Sequence, residues 1–302
     1  MQEPTALKDY LGRTRTEEDE VVLGAVRRMA AMLDQDPHAY RRGSEMPESW
    51  YAILFGTTAR ESTLGPDGLP LAGDFLPPLP GTRRMFAGRR VRFHAPLRIG
   101  EAVTRTSTVA RVEPKTGRSG AFTLITVVHE ISTGGRTAVT EEQDIVCREP
   151  SREPSSPDGA QRHPGAISSA AVSPGFAALN PGYPKEKPDW ARTITPDPVL
   201  LFRYSALTFN AHRIHYDLPY TRDVEKYPAL VMNGGLTALL LVETARAYFK
   251  GPIAGYAARA MSPLFVGQSM TLNGRASKEG ADLWACGPDG ARAYAVALET
   301  RT

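Results

Sequence analysis

The spacing of hydrophobic positions changes along the chain, and each change predicts a different kind of element. Apolar residues recur every three to four positions over residues 16–34, 200–209 and 234–249, which predicts helices. A shorter apolar segment, residues 47–55, fits a helix or a strand. Elsewhere β-branched and apolar residues alternate with polar ones, which predicts an antiparallel sheet. The alternating runs are residues 90–93, 103–112, 121–131, 138–147, 254–260, 268–276, 281–286 and 291–298.

The order of these elements occurs twice. Residues 87–100 match residues 254–267 at a constant offset of 167, pairing Gly88 with Gly255 and Arg92 with Arg259. Two copies of one unit explain this match. The sequence therefore predicts an α+β fold of two tandem units, each with an antiparallel sheet wrapped around a helix and with the two sheets joined as a pseudo-dimer.

The two copies differ where chemistry is expected. An offset of 176 places Asp34 opposite Asn210 and Ala39 opposite His215. Only one copy has to retain catalytic side chains, so we expect the active site in the second copy, lined in part by the first. The predicted units are residues 1–149 and 199–302. Residues 150–198, rich in Pro, Ser, Gly and Ala, are predicted to link them.

Composition narrows the class of protein. The chain has 302 residues and a net charge of +3, which is too small to imply nucleic acid as a partner. Two cysteines cannot form a disulfide framework or a zinc site. The first twenty residues contain early acids and no apolar core of a signal peptide, so the cytoplasm is the expected compartment. The most apolar helix, residues 234–249, is too short and too charged to span a membrane.

Two of the six histidines, His212 and His215, lie in one predicted turn after the helix at residues 200–209. Asn210 is predicted to end that helix, because a short amide bonds readily to nearby backbone. A histidine exchanges protons near neutral pH, as the addition or removal of water across a double bond requires. The simpler alternative is that one imidazole bonds the backbone and the other is solvated.

Three segments, FRYSALTFNAHRIHYD, RRMFAGRRVRFHAPLRIGE and EEQDIVCR, together resemble the MaoC-like hydratases and dehydratases. The similarity is to the double hot-dog branch that contains mesaconyl-C4-CoA hydratase, itaconyl-CoA hydratase and mitochondrial 3-hydroxyacyl-thioester dehydratase type 2. It covers most of residues 8–148 and 196–300. The resemblance implies a double hot-dog fold and a hydro-lyase that acts on an enoyl or 3-hydroxyacyl thioester.

Carried over by position, His215 falls on the catalytic histidine of the family's Asp-x-Asn-Pro-x-His motif, and Asn210 falls on its catalytic aspartate. An amide cannot accept a proton near neutral pH, so Asn210 can orient water but cannot be the base. The second proton-transfer group is therefore open between His212 and Asp217, and Asp217 could instead only orient His215. Asn233 stands where the broader family has histidine.

The resemblance also implies an oxyanion site. The backbone N–H of Gly234 or Gly235, at the start of a helix, would stabilise the negative charge that develops on the thioester oxygen. Arginines would bind the remaining charges. CoA phosphates could be bound from the basic run Arg83, Arg84, Arg89, Arg90 and Arg92, with Arg84 and Arg92 as the chosen candidates, and an acyl carboxylate by Arg203 or Arg213. An exposed or ion-paired role is the alternative for each.

The sequence therefore predicts a hydro-lyase for an acyl-CoA, without metal or redox cofactor and with no nucleic acid or membrane as partner. A short branched dicarboxyl-CoA such as mesaconyl-C4-CoA is the favoured substrate, and a homodimer remains open. A 3-hydroxyacyl-acyl-carrier-protein dehydratase is one alternative, and a non-catalytic thioester-binding protein is another. An arginine closing the site would favour the short diacid, whereas a long apolar tunnel would favour fatty chains.

Overall fold

The computed structural model describes residues 7–71, 75–79, 83–117, 120–148, 187–249 and 251–301. The strands are β1 (Thr14–Glu20), β2 (Arg83–Phe93), β3 (Ala102–Gly117), β4 (Gly120–Thr133), β5 (Arg136–Arg148), β6 (Trp190–Ile194), β7 (Ile253–Ala260), β8 (Met270–Ala276), β9 (Gly280–Cys286) and β10 (Arg292–Thr300). The α-helices are α1 (Leu23–Met32), α2 (Pro198–Leu207), α3 (Leu218–Asp223) and α4 (Gly234–Arg246). Short 3-10 helices span Leu7–Tyr10, Pro37–Ala39, Glu48–Ile53, Glu61–Thr63 and Arg213–His215.

The strands form one antiparallel sheet in the order β1-β3-β4-β5-β2-β7-β10-β9-β8-β6. The second half of this order repeats the first half in reverse, so the two copies meet at the β2–β7 pair. Gly88 pairs there with Arg259, and Arg92 pairs with Gly255. Each pair is the image of the other under the offset of 167, which places a pseudo-two-fold axis between the two strands. A Cβ on either glycine would collide with the backbone of the facing strand.

Helix α4 is buried on nearly all sides and fills the core of the second half. Its fully buried residues include Leu236 and Leu241, and the sheet contributes Met270, Leu272 and Leu283 to the same core. A helix that is apolar around its circumference is stable only when it is enclosed in this way. No helix within the described ranges is long and apolar enough to cross a membrane.

The structure corrects two predictions at the edges of the sheet. Residues 14–20, most of which were predicted as the start of a helix, form strand β1 and pair with β3. Residues 190–194, predicted as linker, form strand β6 and pair with β8. These strands are equivalent in the repeat, and both are largely exposed, so neither carries a buried alternating face. The rest of the predicted linker up to residue 186 lies outside the described residues.

The two copies also differ in their central helix. The offset of 167 places α4 opposite residues 67–79, and the described part of that span is not helical. The second sheet therefore wraps around α4, whereas the described part of the equivalent span in the first half contains no helix. In the first half the short 3-10 helix Glu48–Ile53 packs against α4 instead. The inner face of the first sheet is left open to a cavity.

The predicted match at the offset of 176 is only partly correct. Helices α1 and α2 correspond at an offset of 175, and so do Asp34 and Phe209, which both have positive φ (57° and 48°). The 3-10 helices that follow correspond at 176, which keeps Ala39 opposite His215. One extra residue therefore lies between Phe209 and His212, and Asn210 is not the counterpart of Asp34.

Candidate active site

The turn that carries both histidines is built by local hydrogen bonds. Helix α2 ends at Leu207, and Phe209 reverses the chain in the left-handed conformation. The side-chain oxygen of Asn210 then accepts a hydrogen bond from the backbone N–H of His212 at 3.0 Å. The amide oxygen of Asn210 therefore shapes the turn, and the amide nitrogen is the group with which this residue can hold water.

His215 is buried, with 7% of its surface exposed. Its Nδ1 lies 2.7 Å from the carbonyl oxygen of Val231 and must donate to it, because a carbonyl only accepts. The neutral ring then presents an unprotonated Nε2. Burial lowers the pKa of His215 to about 4, the Val231 bond partly opposes this, and His212 adds to it. The imidazole is therefore a neutral proton acceptor at physiological pH.

His212 lies beside His215, with ring centroids 5.4 Å apart and planes at 84°. Burial lowers the pKa of His212, and the carboxylates of Asp67 and Glu225 act in the opposite direction. Both histidines line the same cavity. His212 is thus placed to take part in proton transfer, whereas Asp217 accepts hydrogen bonds from Arg213 at 2.7 and 2.9 Å and from the backbone of α3.

A segment of the first half holds this turn in position. The carbonyl oxygens of Pro66 and Asp67 accept hydrogen bonds from the side chain and the backbone of Arg213, each at 2.9 Å. Gly68 (φ 83°) approaches the backbone of Ala211 so closely that a Cβ would overlap it. The first copy therefore positions the turn of the second that carries both histidines, as well as lining its cavity.

The start of helix α4 is close in the chain to the backbone that binds His215, since Val231 precedes Gly234 by three residues. Asn233 is the N-cap residue but makes no capping hydrogen bond with its side chain. Its Nδ2 instead donates to Ser205 Oγ at 3.4 Å. The N–H groups of the first turn are therefore not satisfied by their N-cap and are suited to an anionic ligand.

Aromatic side chains surround the two glycines that open α4. A Cβ on Gly234 would lie 3.2 Å from Phe86 and 3.6 Å from Tyr294, and a Cβ on Gly235 would overlap the hydroxyl of Tyr204. All five residues line the cavity. The absence of side chains at both glycines thus lets these aromatic rings pack directly against the helix start.

The cavity has a volume of about 2270 Å³ and is lined by both halves of the chain. This exceeds the usual range for a pocket that binds a compact small molecule, about 300–1,000 Å³. His215, Asn210 and His212 contribute to its wall, together with Asn233, Gly234 and Gly235. Within the described part of the chain, no group of His, Cys, Asp and Glu side chains is arranged to hold a metal ion.

Of the arginines that were predicted to bind substrate, some line the cavity and others do not. Arg84 lines the cavity and donates to the carbonyl oxygen of Pro70. Arg203 is exposed on α2 and lies outside the cavity lining. Arg213 is held by Asp217 and stacks on Tyr220, which gives it a structural role. Neither Arg203 nor Arg213 lines the cavity, so the structure gives no support to their prediction as ligands of an acyl carboxylate.

Arg92 is also placed away from the cavity. It forms an ion pair with Glu299 at 3.1 Å and does not line the cavity wall. Arg92 lies next to Gly255 in the central β2–β7 pair. Its prediction as a ligand for CoA phosphates is not supported, because its side chain is engaged between the two copies.

A buried polar cluster on the inner face of the first sheet was missed by the sequence analysis. Arg89 Nη1 lies 3.4 Å from Glu141 Oε1, and the hydroxyl of Tyr51 donates to Glu141 Oε2 at 2.9 Å. Burial opposes the ionised form of Glu141, but Arg89, His129, Arg105 and the hydrogen bond from Tyr51 together outweigh it and lower the pKa of the carboxyl. The sequence gives one sign of this cluster. Arg89 is a charged residue at a position of β2 whose side chain, by the alternation of the strand, points to the interior.

The sequence of the chain matches the profile of the hydroxyacyl-thioester dehydratase type 2 family over residues 50–266. It is 40% identical to a mesaconyl-C4-CoA hydratase of Chloroflexus aurantiacus over 290 residues, which cover 96% of each chain.

Two solved structures establish the fold. A MaoC-like dehydratase from Phytophthora capsici superimposes with a TM-score of 0.72 at 13% identity, covering 99% of this chain and 98% of that one. A protein from Mycobacterium tuberculosis described as having a double hotdog fold superimposes with a TM-score of 0.52 at 13% identity, covering 96% of both chains. The predicted double hot-dog fold is confirmed.

Proposed function

Since the chain belongs to the hydroxyacyl-thioester dehydratase type 2 family and is a hydro-lyase of acyl thioesters, we propose that it hydrates a short dicarboxyl-CoA of the mesaconyl-C4-CoA type. The observation that carries the proposal is a buried neutral imidazole, His215, in one cavity with the uncapped start of helix α4. The relative that is 40% identical is itself named for the hydration of mesaconyl-C4-CoA.

In the proposed reaction the thioester oxygen lies against the first N–H groups of α4, at Gly234 or Gly235. Nε2 of His215 takes a proton from water as the water oxygen bonds to the β-carbon. The double-bond electrons move towards the thioester and form an enolate, which the helix N-terminus stabilises. The proton then passes from His215 to the α-carbon, so one water molecule is added in total. Dehydration follows the same steps in reverse.

Two further side chains assist these reaction steps in the proposal. The amide nitrogen of Asn210 holds the attacking water, since its oxygen is used by the turn. His212 is the second group that can carry the proton, because Asp217 is engaged by Arg213. No metal or redox cofactor enters any step of this proposed reaction.

The direct test is incubation of the purified protein with mesaconyl-C4-CoA, crotonyl-CoA and a long-chain enoyl-CoA, with mass detection of added water. We expect mesaconyl-C4-CoA to be hydrated with the highest kcat/KM. Preference for the long chain, or for the same acyl groups on acyl-carrier protein, would instead support the dehydratase of fatty-acid or polyketide synthesis. Ligand-dependent stabilisation without any conversion would support a non-catalytic thioester-binding protein.

The pH dependence tests the protonation state of the base. Because the pKa of His215 is lowered to about 4, the ring stays neutral across the usual assay range. We expect kcat/KM for hydration to stay level from neutrality down to about pH 5 and to fall below it. An acidic limb near the ordinary histidine pKa of about 6.5 would contradict the assignment.

The same pKa shift affects the fold and requires a control. The unfolded chain protonates His215 near its ordinary pKa, while the folded chain resists protonation until about pH 4. The stability that His215 contributes is therefore present above about pH 6.5 and is lost as the pH falls through this window. Activity after brief acid exposure and return to neutral pH separates reversible titration from unfolding.

A further inference from the structure

Three residues that line the cavity each carry a buried side-chain atom with no hydrogen-bond partner in the described ranges. These atoms are Nε of Arg89, the hydroxyl oxygen of Tyr294 and Oδ1 of Asn233. Buried polar groups in folded proteins almost always have a partner, and leaving one unsatisfied costs free energy. Two of the three, Arg89 and Tyr294, can donate a hydrogen bond. Two residues of the cavity wall therefore carry buried donors without an acceptor.

Arg89 is held firmly by its other contacts. Its Nη1 faces Glu141 Oε1 and the hydroxyl of Tyr51, each at 3.4 Å. The Tyr51 hydroxyl also lies 3.5 Å from that of Tyr256. The side chain of Arg89 is only 14% exposed. One nitrogen of the guanidinium is thus anchored, and its Nε–H remains without an acceptor in the described residues.

Arg89 lies near the start of α4, where the proposed reaction places the thioester oxygen of the substrate. Its guanidinium carbon lies 5.0 Å from the ring centroid of Phe86. The same ring would contact a Cβ on Gly234 at 3.2 Å, and Tyr294 flanks that glycine on another side. Arg89 and Tyr294 are therefore separated from the start of α4 by little more than one aromatic ring. Both side chains are therefore within the length of a short acyl group from that helix start.

We propose that Arg89, assisted by the hydroxyl of Tyr294, binds the free carboxylate of a dicarboxyl acyl group and so sets the acyl specificity of this site. In mesaconyl-C4-CoA the carboxylate lies three carbon–carbon bonds from the thioester carbon, so both ends of the acyl group must be bound close together. An arginine N–H and a phenol O–H both donate, which suits a carboxylate and not a methyl group. The inference rests on the proposed function, because it names the acyl group of that substrate.

The role of Glu141 follows from this arrangement. It fixes the guanidinium while Tyr51 satisfies its second oxygen, so Arg89 is oriented before the substrate arrives. Such preorganisation reduces the entropy lost on binding. A purely structural ion pair would have no need to leave Nε buried and unsatisfied beside a ligand cavity.

The test compares the binding of succinyl-CoA and butyryl-CoA by calorimetry. These saturated thioesters differ only by a carboxylate in place of a methyl group, and neither can be hydrated. We expect the wild type to bind succinyl-CoA about tenfold to a hundredfold more tightly, the usual range for a charged hydrogen bond. The variant Arg89→Gln/Glu141→Gln, which leaves neither charge unpaired, is expected to lose this preference while binding butyryl-CoA as before.

Two further variants complete the design. Tyr294→Phe removes the unsatisfied hydroxyl without leaving a new buried charge, and it is expected to reduce the preference for succinyl-CoA while the protein stays folded. Arg192→Gln removes an exposed arginine of β6 outside the cavity, and it is expected to change neither affinity. Tyr294→Phe keeps the proposal testable even where the double variant does not fold.

Equal binding of the two thioesters by the wild type would overturn the inference. An equal loss of both affinities in the double variant would also overturn it, since that result indicates a structural role. The outcome does not depend on turnover. A protein that prefers succinyl-CoA through Arg89 but hydrates no enoyl-CoA would contradict the proposed function and leave the carboxylate site standing.

Discussion

Replacing His215 with asparagine is expected to lower kcat for hydration by about 10²–10⁴-fold, the usual contribution of a positioned proton-transfer group. The amide nitrogen of asparagine can take the place of Nδ1 and donate to the carbonyl oxygen of Val231, as the imidazole does at 2.7 Å. The variant thus retains the local hydrogen bond and removes only Nε2. Steady-state kinetics with mesaconyl-C4-CoA measure the effect.

Two comparisons make this result specific. The affinity of the variant for butyryl-CoA should stay within a few-fold of the wild type, because His215 acts on water and not on binding. The matched variant His212→Asn should lose less activity if His215 alone carries the proton, and a similar amount if the proton passes between the two rings. Near-normal turnover in His215→Asn would show that another group is the base.

Replacing Gly235 with alanine is expected to lower kcat by about 10²–10³-fold, the typical effect of losing one donor to a developing oxyanion. The added Cβ would overlap the hydroxyl of Tyr204, which is buried beneath the start of α4. Either the helix start or the tyrosine must move. A shift of the helix moves the N–H groups away from the thioester oxygen, so kcat falls more than KM rises.

The chain offers an internal control for this change. The double variant Gly235→Ala/Tyr204→Phe removes the overlapping hydroxyl, and the nearest remaining ring atom lies 3.4 Å from the new Cβ. We expect it to recover much of the activity lost in Gly235→Ala, while Tyr204→Phe alone stays near the wild type. Full activity in Gly235→Ala would mean that the start of α4 does not contact the reacting oxygen.

The repeat within the sequence predicted that the sheets of the two copies are joined, and they are joined at the β2–β7 pair. Equivalent glycines, Gly88 and Gly255, stand at the two sides of the β2–β7 pair because both face backbone across the pseudo-two-fold axis. Residues related by the offset of 167 therefore occupy equivalent positions in the pairing of β2 with β7. The inner strands could also be predicted, since each has one buried face and alternates accordingly.

The edge strands could not be predicted in this way. β1 and β6 have little buried surface, so hydrophobic alternation is weak in both, and acids in β1 were taken for the first turn of a helix. Their pairing depends on the exposed edges of β3 and β8, which are distant in sequence. Edge strands are thus defined by the sheet they join and not by their own pattern.

His215 was predicted as the catalytic residue from its place in a motif, and the structure adds the reason that it can act as a base. The ring is kept neutral by burial and fixed by the carbonyl of Val231, which no local pattern contains. The prediction that Asn210 is the counterpart of Asp34 was wrong. One residue inserted between Phe209 and His212 shifts the alignment of the two copies by one position, and the sequence around it gives no sign of the insertion.

The double hot-dog fold and the alignment of its two copies could be predicted from the amino-acid sequence, because both depend on a repeated pattern. His215 was selected by its place in the motif of the family that the chain resembles. Which arginines reach the cavity could be learned only from the tertiary structure. Arg203 and Arg213 stand beside the histidines in sequence yet face solvent or Asp217, whereas Arg89, from the other copy, reaches the cavity. Arg213 has its partner Asp217 only four residues away, whereas the position of Arg89 opposite Glu141 is set by the pairing of β2 with β5.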